Sequence, residues 1–167
     1  MTSDGGPTPV GSTTTPHAAN LGIVRPPLVY LLSILGGVGL HFAIPLTLMP
    51  SRIHVPLGAA VCLLAISLFV TAVHTFRAAG TPVPGDRPTT AIVRAGPYRF
   101  TRNPIYLAFS LLQVGMAIWV NTPWLIFTLV PAIMLMALFV IPREESYLAK
   151  HFPETYLPYK QAVRRWL

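Results

Sequence analysis

The sequence is poor in charged residues and contains a single cysteine. Only 10% of its 167 residues are Asp, Glu, Lys or Arg, against about 25% in average soluble domains. Apolar residues make up 53% of the chain, so the composition is that of a membrane protein. Cys62 lies inside an apolar run, and one cysteine excludes both an intrachain disulfide and a metal site with two thiolates. We therefore expect Cys62 to serve helix packing.

Acidic residues are scarcer still. Five Asp and Glu stand against twelve Lys and Arg, which gives a net charge of +7. Such an excess suits nucleic acid or anionic lipid as a partner. The cations lie beside apolar segments, as topology determinants do, and form no basic face of a soluble domain. The prediction is therefore contact with a lipid bilayer and no nucleic-acid partner.

The first 22 residues are rich in Thr, Ser, Gly, Pro and Ala and carry almost no charge. A segment of this composition cannot bury enough apolar surface to become ordered, so residues 1–22 are predicted to be a disordered tail. The stretch lacks the basic start and apolar centre of a secretory signal peptide, so the first hydrophobic segment is expected to stay as an anchor. Residues 23–167 are predicted to form a single membrane-embedded domain.

Four apolar runs follow, each close to the length that crosses a hydrocarbon core of about 30 Å. The predicted fold is all-α, an integral membrane bundle of about four transmembrane helices. A polar connection of residues 77–103 separates the second span from the third. The predicted spans are residues 28–48, 56–76, 104–120 and 123–141.

Local signals refine these spans. Asn103 before Pro104 is predicted to be the N-cap of the third span. Residues 121–123, Asn-Thr-Pro, repeat this signal, so the third and fourth spans are expected to form a tight antiparallel hairpin. Small residues permit close helix contact, and the first span carries three of them: Gly36, Gly37 and Gly39.

Cation counts predict the orientation. With four spans, the N-terminus, the 77–103 connection and the C-terminal tail lie on one side with eleven Lys and Arg, while the other side has Arg52 alone. The positive-inside rule therefore predicts cytoplasmic N- and C-termini. The tail is expected to extend the fourth helix to about Lys150 and to break at residues 152–153. From about Thr155 it should form an amphipathic helix at the membrane interface.

Polar chemistry is concentrated in residues 94–106, where three arginines and two tyrosines crowd together, and in the acidic pair Glu144 and Glu145. Neighbouring helix positions point about 100° apart, so the two carboxylates are expected to hold different partners. The sequence has no metal-ligand spacing, and no metal site is predicted. Arginines and carboxylates beside an apolar wall suit a zwitterionic cofactor and a lipophilic co-substrate. Positioning alone can promote a displacement between them, without a protein nucleophile.

These motifs resemble a known superfamily. The chain reads Gly96-Pro-Tyr-Arg-Phe-Thr-Arg-Asn-Pro-Ile-Tyr106, then Glu144-Glu145-Ser-Tyr-Leu, then Tyr156-Leu-Pro-Tyr159 and Val163-Arg-Arg-Trp166. In order and spacing it is similar to the isoprenylcysteine carboxyl methyltransferase and phospholipid methyltransferase superfamily of integral membrane enzymes, particularly its small bacterial members. The resemblance covers about residues 81–167 and implies a bacterial-type inner-membrane location.

The resemblance implies S-adenosylmethionine as the methyl donor and a lipophilic small molecule, entering from the bilayer, as the acceptor. The cofactor would be bound at the cytoplasmic ends of the last helices. Arg164 or Arg165 would be the catalytic group and would orient the acceptor. The residues implied in cofactor binding are Gly96, Tyr98, Arg102, Asn103, Pro104, Tyr106, Glu144 and Glu145.

One position departs from the superfamily pattern, because Asn103 stands where a histidine is common. Asparagine can donate and accept hydrogen bonds but does not titrate near neutral pH, so it cannot serve as a base. A carboxylate acceptor needs no base, whereas an amine must first lose a proton. Carboxylate O-methylation is therefore favoured here, with amine N-methylation as the other option.

Two further functions stay open from the sequence. Membrane sterol reductases share a related C-terminal half and bind NADPH in a comparable place, although this chain is short for that class. A non-catalytic bundle that binds lipid is the other alternative. The concentration of charge and aromatic residues in the connection and the tail disfavours it, because helix packing does not require that concentration.

Overall fold

The computed structural model describes residues 25–50, 52–80 and 90–167. Within these ranges the chain is helical and has no β-strand, which confirms the predicted all-α class. The tail predicted for residues 1–22 lies outside the described residues. The helices are α1 Pro26–Ala43, α2 His54–Ala78, a 3₁₀ turn Gly96–Arg99, α3 Pro104–Trp119, α4 Trp124–Leu135, a π-helical segment Met136–Val140, α5 Ile141–His151 and α6 Pro153–Ala162.

Three helices are long and apolar enough to cross a membrane: α1, α2 and the continuous helix of residues 124–151. The remaining predicted span, the third, is α3, which is also apolar but only 16 residues long. The first span ends at Ala43, five residues before the predicted end. Pro45 explains this difference, because a proline lacks the amide hydrogen of a helix and disfavours helical geometry in the residue before it. Ile44 accordingly has φ −137° and ψ 87°.

The fourth span and the first part of the tail form one helix, as predicted, but it contains a π-helical segment between α4 and α5. There the amide of Ile141 donates to the carbonyl of Met136, five residues earlier. Pro142 follows directly, and its ring cannot fit against the carbonyl four residues before it in a regular α-helix. The wider turn accommodates the proline. One extra residue also rotates everything after it by about 100° around the axis, including the acidic pair.

Helices α2 and α3 approach closely along small residues. A Cβ atom at Gly58 would lie 2.4 Å from the backbone nitrogen of Trp119, and one at Gly115 would lie 2.7 Å from the sulfur of Cys62. Cys62 is itself buried, as expected of a packing residue. In lipid, such close backbone contact is a main source of helix association. The α2–α3 pair therefore forms a tight scaffold for the site end.

Helix α1 packs on α4 and is joined to α3 by polar contacts. Among the glycines of α1, Gly37 makes the close approach, because a Cβ there would meet Leu125 and Thr128 at 2.8 Å. Gly39 has nothing within 4 Å of that position. The amide of Gln113, fully buried on α3, donates to the Ser33 hydroxyl at 2.7 Å. Polar groups within a bundle are stable when they are paired in this way.

The two ends of the bundle differ in character. At one end, the predicted hairpin between α3 and α4 turns over residues 120–123, with Asn121 in the left-handed region at φ 57°. The side chain of Asn121 accepts hydrogen bonds from the amides of Leu48 and Met49. At the other end, the 3₁₀ turn, α5, α6 and the C-terminal residues meet, and we call this the site end.

The variant Gly58→Val is expected to destabilise the bundle. Its side chain would collide with the backbone of α3, which cannot rotate away, so α2 and α3 must separate. Overpacking of this kind costs roughly 1–3 kcal/mol and should lower the temperature of thermal denaturation in detergent. Gly39→Val is the matched control, because it places the same side chain in open space on α1. Equal losses in the two variants would contradict the close α2–α3 contact.

Candidate functional site

A cavity opens at the site end, between the end of α2, the start of α3, α5 and α6. It holds about 730 Å³ of free space, counting its open mouth. Part of its wall is apolar and part is polar. The apolar side includes Phe76, Val93, Ile105 and Leu148, and the polar side includes Tyr98, Arg102, Asn103, Tyr106, Glu144, Glu145, Tyr156 and Tyr159.

The structure brings together seven of the eight residues expected to bind the cofactor. These line one cavity: Tyr98, Arg102, Asn103, Pro104, Tyr106, Glu144 and Glu145. Gly96 is not among the lining residues. It has φ +56°, and a Cβ there would lie 2.7 Å from the hydroxyl of Thr75 on α2. Gly96 therefore allows the turn that brings the 3₁₀ segment against α2.

Glu145 is the centre of an ion-pair cluster. The guanidinium of Arg165 donates to both carboxylate oxygens, each at 2.9 Å. Arg102 lies at 3.1 Å and Lys160 at 3.4 Å from the same carboxylate. Glu145 is only 6% exposed, and its hydrogen bonds raise the pKa of the Arg165 guanidinium. Three cations around one carboxylate make this cluster net positive.

Glu144 has a different partner, as the 100° separation predicted. Its carboxylate accepts a hydrogen bond of 2.6 Å from the hydroxyl of Tyr106 on α3. Tyr106 is buried, at 7% exposure. The two adjacent carboxylates thus lie in one cavity but in unlike surroundings, one among cations and the other beside a neutral hydroxyl.

The two arginines predicted to orient an acceptor occupy unlike positions. Arg165 is held by Glu145, whereas the Arg164 side chain is exposed. Neither is among the residues that line the cavity. The backbone of both residues is tied to the start of α3: the Arg102 amide donates to the Arg164 carbonyl at 3.0 Å, and the Thr101 hydroxyl donates to the Arg165 carbonyl at 3.0 Å.

Asn103 occupies the predicted N-cap position, but its side chain makes no capping hydrogen bond, so that part of the prediction is wrong. Its amide nitrogen donates instead to the Arg165 carbonyl at 2.9 Å. Pro104 favours a helix start at this point, because the first helical residue has no intrahelical use for an amide hydrogen. Asn103 therefore joins the C-terminal residues to α3.

Two polar atoms in the cavity wall lack hydrogen-bond partners among the residues that the structure describes. They are the hydroxyl of Tyr98, a residue 4% exposed, and Nε of Arg102. Unpaired buried polar groups are costly, so each marks a place where a ligand atom would fit. Burial raises the pKa of Tyr98, and it raises the pKa of Tyr159 to about 12. Both phenols therefore carry their protons at neutral pH and can donate.

Three residues of the site were not predicted from the sequence to belong to it: Lys160, Tyr156 and Tyr159. They lie on α6, where the spacing of three between the two tyrosines puts both on one helix face, and this was the available signal. The Tyr159 hydroxyl donates to the Tyr98 carbonyl at 2.8 Å, and the Arg102 guanidinium donates to the Tyr156 hydroxyl at 3.3 Å. Helix α6 thus completes the wall opposite α3.

Fold and site together define a helical membrane protein with an amphiphilic cavity at one end of its bundle. The chain belongs to the phospholipid methyltransferase family, whose sequence model matches residues 53–155. This confirms the superfamily resemblance and supports a membrane methyltransferase. The match spans α2 through the start of α6. Tyr156 and Tyr159 of the cavity wall, and Lys160 and Arg165 of the ion-pair cluster, lie beyond it.

The chain also resembles an uncharacterized protein of Haemophilus influenzae. The two are 35% identical over 63 residues, which is 38% of this chain and 100% of the relative. No solved structure matches.

Replacing Asn103 by Ala should loosen the C-terminal residues. The variant removes one of two donors to the Arg165 carbonyl, a hydrogen bond worth about 1 kcal/mol. The Arg102 amide, which bonds to the adjacent Arg164 carbonyl, should then exchange its hydrogen about fivefold faster. Hydrogen–deuterium exchange of the detergent-solubilised protein measures this rate. Thr101→Ser keeps the other donor and is the control; an unchanged rate in Asn103→Ala would remove Asn103 from this role.

Proposed function

We propose that this protein transfers the methyl group of S-adenosylmethionine to a lipid-like acceptor at the site end of its bundle. Family membership supports methyl transfer to lipid-like molecules. The observation that carries the proposal is a cavity with cations and carboxylates on one side and apolar side chains on the other. Such a wall suits a zwitterionic cofactor next to a lipophilic acceptor.

The polar side fits the methionine end of the cofactor. A carboxylate and an ammonium need donors and acceptors close together, and forked arginine contacts are the strongest donors to a carboxylate. Around Glu145 the positive charges outnumber the one negative charge of the carboxylate. The Tyr98 hydroxyl and Arg102 Nε are unpaired among the described residues. When bound, the cofactor supplies an electrophilic methyl group on a sulfonium. These residues would hold and orient it.

The apolar side fits the acceptor. Phe76, Ile105 and Leu148 contribute aliphatic and aromatic surface to the cavity, and the outer faces of α1, α2 and α4 expose large apolar residues to the bilayer. An acceptor with a hydrocarbon chain could keep that chain in lipid while its polar group enters the cavity. Holding the acceptor in line with the methyl group can supply roughly 7–11 kcal/mol of barrier reduction in favourable cases.

The site end is proposed to face the cytoplasm of a bacterial cell, with both chain termini on that side of the inner membrane. Cations concentrate at this end of the described chain, whereas Arg52 lies at the other. The positive-inside rule supports that orientation. Both oxygen methylation and nitrogen methylation fit this arrangement. Asn103 does not titrate near neutral pH, and this argues only against a base at that position.

The cofactor assignment predicts a pattern of ligand binding. Calorimetric titration of the detergent-purified protein should show binding of S-adenosylmethionine and of its demethylated product, and none of NADPH. Arg102→Ala should weaken binding of S-adenosylmethionine at least tenfold, because a charge-assisted hydrogen bond is worth about 1.5–3 kcal/mol.

Arg99→Ala is the matched control for this test. Arg99 is an exposed arginine on the adjacent 3₁₀ turn, so its loss should leave the affinity within twofold. Binding of NADPH alone would establish the reductase alternative instead. Binding of none of the three ligands would favour a lipid-binding bundle without this chemistry.

A further inference from the structure

Helix α1 supports the site without lining it. None of the described residues of α1 is among those that line the cavity, and the family match begins after this helix, at residue 53. Yet Tyr30, in the second turn of α1, is 3% exposed and packs in one buried cluster with Tyr106. The hydroxyl of a tyrosine buried this deeply needs hydrogen-bond partners. Its partners here belong to α3.

The hydroxyls of Tyr30 and Ser110 meet at the backbone carbonyl of Tyr106. The two hydroxyl oxygens are 2.9 Å apart, and they lie 3.3 Å and 2.9 Å from the carbonyl oxygen, respectively. Two hydroxyls carry two hydrogens, so whichever of them donates to the other, the carbonyl still receives at least one. Ser110 belongs to α3 itself. Tyr30 is therefore the partner that ties this carbonyl to another helix.

Tyr106 connects this contact to the cavity, which it lines. Its carbonyl faces Tyr30, and its hydroxyl donates to Glu144 at 2.6 Å. The residues one turn before Glu144, Val140 and Ile141, belong to the same buried cluster. Both partners of the Tyr106–Glu144 hydrogen bond are thus backed by the cluster in which Tyr30 lies.

We propose that Tyr30 is a positioning residue of the site: its hydroxyl fixes the first turn of α3, so that the hydroxyl of Tyr106 meets Glu144 in the cavity. Groups that bind a ligand keep a productive geometry when neighbouring side chains lock them by packing and by hydrogen bonds. Tyr30 supplies both, since its ring also packs against Phe109 with centroids 5.3 Å apart. The expected effect on cofactor affinity rests on the proposed function, whereas the effect on the Tyr106–Glu144 hydrogen bond does not.

A general role in anchoring α1 is the alternative, and Ser33 provides the matched control for it. Ser33 lies one turn further along α1, and its hydroxyl donates to the Thr128 carbonyl at 2.8 Å and accepts from the Gln113 amide at 2.7 Å. It joins α1 to its neighbours as Tyr30 does, but none of these three residues lines the cavity. In Ser33→Ala, Gln113 keeps its hydrogen bond to the Leu125 carbonyl.

The first measurement reads the Tyr106 hydroxyl directly. The full-length chain is labelled with ¹³C at the phenol carbon of its tyrosines, and its NMR spectrum is recorded in detergent micelles, with the Tyr106 signal assigned from Tyr106→Phe. Tyr30→Phe keeps the ring and removes only the hydroxyl. The Tyr106 signal should then move toward its frequency in Glu144→Ala, where the phenol has lost its acceptor. In Ser33→Ala it should stay at the wild-type frequency.

A second variant at the same carbonyl isolates the contact between helices. Ser110→Ala removes the hydroxyl that belongs to α3 and leaves Tyr30 as the donor to the Tyr106 carbonyl. The Tyr106 signal should therefore stay close to the wild-type frequency. A signal that moves as far in Ser110→Ala as in Tyr30→Phe contradicts the inference, because the loss of any hydroxyl at this carbonyl would then have the same effect.

The second measurement is the affinity for S-adenosylmethionine, by calorimetric titration in the same detergent. Tyr30→Phe should weaken binding about three- to tenfold, the factor that corresponds to one neutral hydrogen bond. The reason is that the ligand must then order a cavity wall that is pre-organised in the wild type. Ser33→Ala should leave the affinity within twofold.

An unchanged Tyr106 signal in Tyr30→Phe overturns the inference, whether or not the affinity falls, because the effect would then bypass Tyr106. Equal changes in Tyr30→Phe and Ser33→Ala also overturn it, since Tyr30 would then only anchor α1. A wild type that binds no S-adenosylmethionine removes the proposed function. The Tyr106 signal then still decides the positioning role on its own.

Discussion

The site end of the bundle depends on the ion-pair cluster around Glu145. A carboxylate that is only 6% exposed must be paired to be tolerated, and here its partners come from three separate parts of the chain. Arg102 precedes α3, Lys160 lies on α6, and Arg165 belongs to the C-terminal residues. Removing Glu145 would be destabilising, because its three cations would lose their shared counter-charge. The cluster therefore holds α6 and the C-terminal residues against the start of α3.

That arrangement explains why two adjacent carboxylates differ. On a helix, neighbouring side chains diverge by about 100°, so only one of them can face the cations of α6 and the C-terminal residues. Glu145 takes that direction, and Glu144 turns toward Tyr106. The π-helical segment contributes as well, because its extra residue sets the rotation of α5 relative to α4. A helix without that segment would present different residues to the cavity.

The opposite wall is held by close packing. Helices α2 and α3 touch through glycine and cysteine, which keeps the end of α2 beside the 3₁₀ turn. The rings of Phe76 and Tyr98 meet edge to face with centroids 4.9 Å apart, a favourable geometry for aromatic pairs. One wall of the cavity is thus fixed by apolar contact and the other by charge. An amphiphilic ligand matches both.

The sequence by itself determined the features that arise from local chemistry. Apolar runs specified the helices, Asn-Thr-Pro specified the tight turn before α4, and the motifs of residues 96–106 and 144–148 identified the superfamily. The separation of about 100° between neighbouring helix positions was sufficient to predict that Glu144 and Glu145 would have separate partners. These inferences hold because each depends on residues that are close in the chain. The early end of α1 was equally local, since Pro45 marks it, but the apolar run continues past that proline and obscured the signal.

The tertiary structure alone decided which partner each polar group has. Asn103 bonds to a carbonyl 62 residues away and leaves its own helix uncapped, and Arg165 pairs with a carboxylate 20 residues away. Such choices depend on how α3, α5 and α6 pack, and no local pattern records them. The crowded arginines and the Glu pair were visible in the sequence as candidate ligands. That Glu145 is paired with cations while Glu144 bonds to Tyr106 follows only from the fold, because burial and charge partners are set by distant segments.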